Sequence, residues 1–251
     1  MKNDNLIQYI FSIADNALIL GQRLSELCGH GPSLETDIAL TNMALDLLGQ
    51  TRSYFQYAAK LTGEDKTEDD LAYLRTERQY RNVLLVEQPN THFGYVITRQ
   101  FLFDAFHLLL LQKLQNSTDE TLSAIAKKSI KEVSYHFRFS SDWMKRLGDG
   151  TEDSHAKVQE AVNNLWTYTD ELFHNLDSDN EIITQGVGVD LSELKDSYYE
   201  KVKEVLTEAT LAIPETKYFQ KGGKKGIHTE HMGYLLADLQ YMQRTYPNMK
   251  W

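Results

Sequence analysis

Apolar residues recur at intervals of three and four along nearly the whole chain, and no segment sustains the alternation of a strand. The pattern predicts a first helix over roughly 5–28, ended by Gly29-His30-Gly31-Pro32. Ser33 then caps a second helix, with Thr36 and Asp37 in its first turn, running through DIALTNMALDLLGQTRSYFQYAAKL to Gly63. An acidic connector, GEDKTEDD, leads to shorter helical pieces that end at Glu87. Pro89-Asn90-Thr91 launches a third long helix to about Gln115, and Asn116-Ser117-Thr118-Asp119 turns and caps into a fourth, to Leu147. A fifth covers about 154–174, another 191–209, and the loop PETKYFQKGGKKGI precedes a last helix over about 228–244. With 4 prolines and 14 glycines in 251 residues, and no repeat or flexible linker, one domain over residues 1–251 is expected. Four long helices suit an all-α antiparallel four-helix bundle with additional C-terminal helices.

Composition narrows the function classes. There are 36 acidic against 26 basic residues, a net charge of −10, which argues against general nucleic-acid binding. The most apolar window, FLFDAFHLLLL, is too short to cross a bilayer and contains Asp104 and His107, so no membrane span is expected. The start of the chain has no cleavable signal pattern, because Asp4 and Asp15 flank a short apolar run. The single cysteine, Cys28, cannot close an internal disulfide, and a cytoplasmic location fits that usage.

Each long helix carries one acid near its midpoint: Asp15, Asp46, Asp104 and Glu132. On helical geometry the face around Glu132 holds Ile125, Ser129, His136, Phe139 and Trp143, and that around Asp104 holds Ile97, Phe101, His107, Leu108 and Leu111. A charge left alone on such a stripe would be costly. One carboxylate per helix with nearby imidazoles is how ferritin-like di-iron proteins build their centre, with a Glu on two helices and Glu-x-x-His on the other two. This sequence departs from that pattern four times. Asp15 and Asp104 are each a methylene short, Gly49 stands where the second helix needs histidine, and Tyr135 takes the histidine position after Glu132. His136 comes one residue late. The expectation is a degenerate, metal-free polar core in which Asp104 or Glu132 pairs with His107, His136 or an arginine. The alternative is a self-contained di-metal oxidase built on Asp46, Asp104, Glu132 and His136.

Four runs carry a resemblance. They are LxLGxRLxxxCGHGPxLExDIALTNxALDLLGQ (18–50), LLVEQPN (84–90), IKEVSYHFRFS (130–140) and GGKKGIHTEHMG (222–233). In these the chain resembles the C subunits of bacterial ring-1,2-phenylacetyl-CoA epoxidases, from about Leu6 to Trp251. The resemblance implies a ferritin-like fold and a place in a monooxygenase complex of aerobic phenylacetate degradation that epoxidises the aromatic ring with O₂. It implies a non-catalytic subunit with no cofactor of its own, pairing with a catalytic A subunit that holds the di-iron centre. The complex it implies also includes a small B subunit. A reductase carrying flavin and an iron–sulfur cluster docks transiently and draws electrons from NADPH. Left alone, the chain could pair with itself.

In FQKGGKKGIHTEHMG, Lys217, Lys221, Lys224 and Lys225 concentrate positive charge before a helix, among glycines that permit close backbone approach. Three readings stay open: contact with CoA phosphates, docking to an acidic surface of a partner, and a solvated turn. His228 and His231 flank Glu230, a weak zinc spacing that helix capping or interface hydrogen bonding explains as well. Partner contacts are expected on the second and third long helices.

Overall fold

The computed structural model describes residues 2–63, 65–247 and 249; Glu64 of the acidic connector and Trp251, where the resemblance ends, lie outside the described residues. Among the described residues there are nine α-helices, several 3₁₀ turns and no strand. The chain divides into two compact units, one of residues 1–89 with 222–251 and one of residues 90–221. The all-α class is as the periodicity predicts.

The first unit is built on a hairpin of α1 (Lys2–Ser25) and α2 (Leu34–Thr62). The pair is antiparallel. Phe11 meets Phe55 edge to face at 6.0 Å, the Thr51 hydroxyl reaches the Ala14 carbonyl, and Gly21 packs opposite Leu47. Ser33 caps α2 through the Thr36 N–H, and Gly63 ends it in the left-handed region at φ 65°. The turn between them is tied by Asp37, whose carboxylate accepts the Gly29 N–H at 2.9 Å and the Gly31 N–H at 3.0 Å. The Gly29 N–H, followed by that of Gly31, holds the Asp37 carboxyl below the usual carboxylate range. α3 (Glu68–Tyr73), opened by a Thr67–Asp70 capping box, packs on α2 and on the terminal helix α9 (Glu230–Thr245).

The second unit is built on α4 (Phe93–Leu114) and α5 (Glu120–Gly148). They too run antiparallel, since Thr98 reaches Met144 while the Ser123 hydroxyl reaches the Gln115 carbonyl. α4 is buried on every side from Val96 to Leu111, as its nearly unbroken apolar sequence requires. Asp119 caps α5. α6 (Glu152–Leu165), α7 (Asp179–Thr184) and α8 (Lys195–Glu208) complete the unit, with α6 and α8 packing on both long helices.

The expected fifth helix stops short, at Leu165 rather than His174. Two 3₁₀ turns follow, the Thr169 hydroxyl donates to the Trp166 carbonyl at 2.8 Å, and Phe173 enters a cluster of rings with Phe106, Tyr198 and Tyr199. Aromatic packing outweighs helical continuation there. A 3₁₀ turn over Leu191–Leu194 likewise precedes α8.

Candidate functional site

The four midpoint acids do not share one environment. Asp15 is fully buried, and Arg75 closes on it with both ends of its guanidinium. Arg75 Nη1 donates to Oδ2 at 3.0 Å, and Nη2 donates to Oδ1. The Arg81 backbone N–H adds a third donor to Oδ2 at 2.8 Å. The guanidinium lies 4.5 Å from the Phe11 ring centre and 4.3 Å from that of Tyr80. It also donates to the carbonyls of Leu71 and Gln79. Burial works against its charge, but the Asp15 carboxylate more than offsets that, and the Arg75 pKa is raised. Beside this pair, Asn16 Oδ1 takes the Val83 N–H at 2.8 Å. The middle of α1 thus anchors the segment from 75 to 83.

Sequence reasoning did not find Arg75. It lies sixty residues along from Asp15 in a short irregular stretch, beyond the reach of any helix-face projection.

Asp104, in the second unit, is also fully buried. Gln100 Nε2 donates to Oδ1 at 2.7 Å and Ser140 Oγ to Oδ2 at 2.8 Å. Burial pushes its pKa up to about 7, against the opposing influence of His136 and these two donors. His107 is buried on the same helix against the Phe103 ring at 5.2 Å. Burial, helped by His136, drives its pKa down to about 3, so the ring is neutral at physiological pH. Among the described residues, His107 Nδ1 and Gln100 Oε1 are buried without a hydrogen-bond partner.

The buried stripe of α5 runs Leu122, Ala126, Ser129, Val133, His136, Ser140, Met144, in steps of three and four residues. His136 and Ser140 therefore face inward. Glu132 sits half-buried on the flank of the stripe, one position off the face assigned to it from sequence. Tyr135, at the expected histidine position, is 38% exposed and packs against Phe139. Asp46 is likewise half-buried, beside the buried positions Ala44 and Leu47 of α2.

A di-iron centre needs several carboxylates and imidazoles converging with free lone pairs. Here Asp15 accepts three donors from two arginines, Asp104 is held by an amide and a hydroxyl, and Gly49 and Tyr135 stand at the histidine positions. These residues do not fit the group. Among the described residues no three of His, Cys, Asp and Glu are placed to hold a metal ion.

The runs LLVEQPN and GGKKGIHTEHMG meet in the first unit. The buried Glu87 carboxylate accepts the Thr229 N–H at 2.6 Å on Oε1, and His228 Nδ1 at 2.9 Å and Asn82 Nδ2 at 3.1 Å on Oε2. His228 Nε2 is 3.3 Å from the Tyr80 carbonyl. Carboxylate and carbonyl are both acceptors, so the ring carries both protons. Burial opposes that charge, Glu87 overcomes it, and the His228 pKa is raised. Arg23 donates to the Glu87 carbonyl at 2.8 Å, so the run over 18–50 joins the same node. A carboxylate of the chain itself thus occupies the N-terminal end of α9, where an outside anion was one reading.

The glycines of that loop serve the same contact. A Cβ at Gly223 would stand 2.1 Å from the Asn82 carbonyl oxygen, and one at Gly226 would stand 2.3 Å from that of Arg78. The close approach they permit is to this chain's own backbone. Of the four lysines, Lys217 and Lys221 belong to the second unit and Lys224 and Lys225 to the first. Lys217, Lys221 and Lys225 are exposed, whereas Lys224 is only 5% exposed.

The family model described as phenylacetic acid catabolic protein matches residues 1–251. A relative from Escherichia coli (strain K12), the C subunit of 1,2-phenylacetyl-CoA epoxidase, is 48% identical over 248 residues, covering 99% of this chain and 100% of its own. The chain belongs to the phenylacetic acid catabolic protein family.

Proposed function

We propose that this chain is the non-catalytic subunit of a multi-subunit phenylacetyl-CoA epoxidase, in which it packs against and stabilises a separate catalytic subunit. The observation that carries this reading is the Asp15–Arg75 pair. At the position where the first helix of a di-iron protein offers a ligand, this chain has a carboxylate already satisfied by a guanidinium. The epoxidase relative, similar over essentially its full length, supplies the substrate and the reaction. The iron of such a complex belongs to the catalytic subunit. A small third subunit and a reductase bearing flavin, an iron–sulfur cluster and NADPH complete the electron path, in the cytoplasm. This chain contributes packing surface and no redox group.

Co-expression with the di-iron subunit of the same system tests the reading. The expected result is a stable complex, and a catalytic subunit that loses solubility and epoxidation when this chain is withheld. A catalytic subunit fully soluble and active alone would remove the proposal's content. The competing reading, a self-contained oxidase on Asp46, Asp104, Glu132 and His136, requires near-stoichiometric iron or manganese in the isolated chain, lost on Glu132→Ala.

A further inference from the structure

α2 is apolar on two sides. Its buried side, with Leu40, Met43, Leu47, Thr51 and Tyr54, faces the interior of the hairpin. On the opposite side Leu34, Ile38 and Leu45 are 72%, 51% and 61% exposed. At about 100° per residue these three fall within an arc of roughly 40°, and Thr41 falls between them in a four–three–four spacing. That is the spacing of a helix–helix seam, whereas a helix at the surface of a monomer turns polar residues outward.

Gly49 continues the stripe by one turn. It is exposed in the middle of a 29-residue helix, and a Cβ there would meet nothing within 4 Å. Glycine in a helix interior weakens the helix, and nothing among the described residues asks for the missing side chain. Gly21 shows the contrast, because a Cβ there would touch Leu47 of the facing helix at 3.4 Å.

We propose that this stripe seats an amphipathic helix of a different subunit, crossing α2 at Gly49 and setting its own apolar stripe against Leu34, Ile38 and Leu45. Between Asp37 and Asp46 the stripe and its edges carry no charge, so the contact is apolar at its centre. Glu35 and Asp46 border it, which suits basic residues flanking the partner's stripe. A second copy of this chain would bring a net charge of −10 against −10, which favours a heterologous partner. The inference rests on the subunit reading above and adds the surface that the partner uses.

The test is co-purification of the tagged di-iron subunit with wild type, Leu45→Arg, Gly49→Leu and the control Tyr234→Arg, whose residue is 77% exposed on α9. Melting of each isolated chain checks its fold. Leu45→Arg and Gly49→Leu should each lower recovered partner by about tenfold or more with melting near wild type, while Tyr234→Arg does not. Hydroxyl-radical labelling of Leu34, Ile38 and Leu45 in the wild-type complex needs no variant, and should fall several-fold on pairing. Undiminished pairing and labelling, with the wild type pairing normally, overturns the seam alone. A wild type that captures no partner overturns the subunit reading and the seam with it. An isolated chain that is a dimer, dissociated by Gly49→Leu, makes the occupant a second copy and also overturns the proposal.

Discussion

Arg75 holds Asp15 by both carboxylate oxygens while its guanidinium lies among the rings of Phe11, Phe55 and Tyr80. The midpoint of α1 is therefore an ion pair made within the chain itself. Removing the cation leaves a buried charge alone. Arg75→Met should cost about 3–5 kcal/mol in urea unfolding, and Asp15→Leu with Arg75→Met should cost less than Arg75→Met by itself. Equal losses in the single and double variants would show that the pair is not the unit that matters.

Asp104 and His107 push the pH dependence in opposite directions. The Asp104 pKa is raised to about 7, so its contribution is present below about pH 4, the unfolded value, and is lost as pH climbs through about 7. The His107 pKa is lowered to about 3, so its contribution is present above about pH 6.5 and is lost as pH falls toward about 3. Relative to wild type, Asp104→Asn should gain stability from about pH 4 to about 7 and level off above, whereas His107→Phe should compare best at low pH. Chemical unfolding across that range reads both differences. A pH-independent difference for Asp104→Asn would contradict the assignment.

Glu87 is the acceptor on which the start of α9 depends. Glu87→Ala strands the His228 imidazolium, the Thr229 N–H and the Asn82 amide, and should cost about 3–5 kcal/mol. Amide exchange at Thr229 should accelerate more than at α4. Because the His228 pKa is raised, its contribution is complete below about pH 6.5 and declines as pH rises through the higher folded value. Protection of Thr229, corrected for intrinsic exchange, should therefore weaken on the alkaline side in wild type and not in His228→Gln.

Two glycines should respond oppositely to alanine. At Gly223 the new Cβ would stand 2.1 Å from a carbonyl oxygen of the facing segment, so backbone must move, and a loss of about 2 kcal/mol or more is expected. At Gly49 the Cβ enters open space on a helix, and the isolated chain should gain about 0.5–1 kcal/mol. Thermal melts of the isolated chains decide both.

The helices were legible because their ends carry local signals that tertiary packing did not override. Ser33, Gly63 and Asp119 act where side-chain chemistry places them. The stop at Leu165 was not legible, because it depends on rings of Phe106, Tyr198 and Tyr199 distant in sequence. The broken ligand pattern at Gly49 and Tyr135 could be read directly, but the partners of the surviving acids could not. Arg75 reaches Asp15, and Thr229 reaches Glu87, from segments with no periodicity to project. On α5 a 3.6-residue period left the centre of the buried face uncertain by one position, enough to place Glu132 inside it. Observed packing centres that face on Val133 and His136.

Asp15 and Asp104 are held by donors of this chain itself, and on the proposed function the iron chemistry belongs to the catalytic subunit. Iron content, measured per chain by mass spectrometry on the isolated chain and on the co-purified complex from iron-supplemented cells, decides between the two readings. Iron far below one atom per chain is expected in the isolated protein, with about two atoms per catalytic subunit that follow that subunit when the complex is separated. About two iron atoms retained by the isolated chain, and lost on Glu132→Ala, would contradict the proposed function.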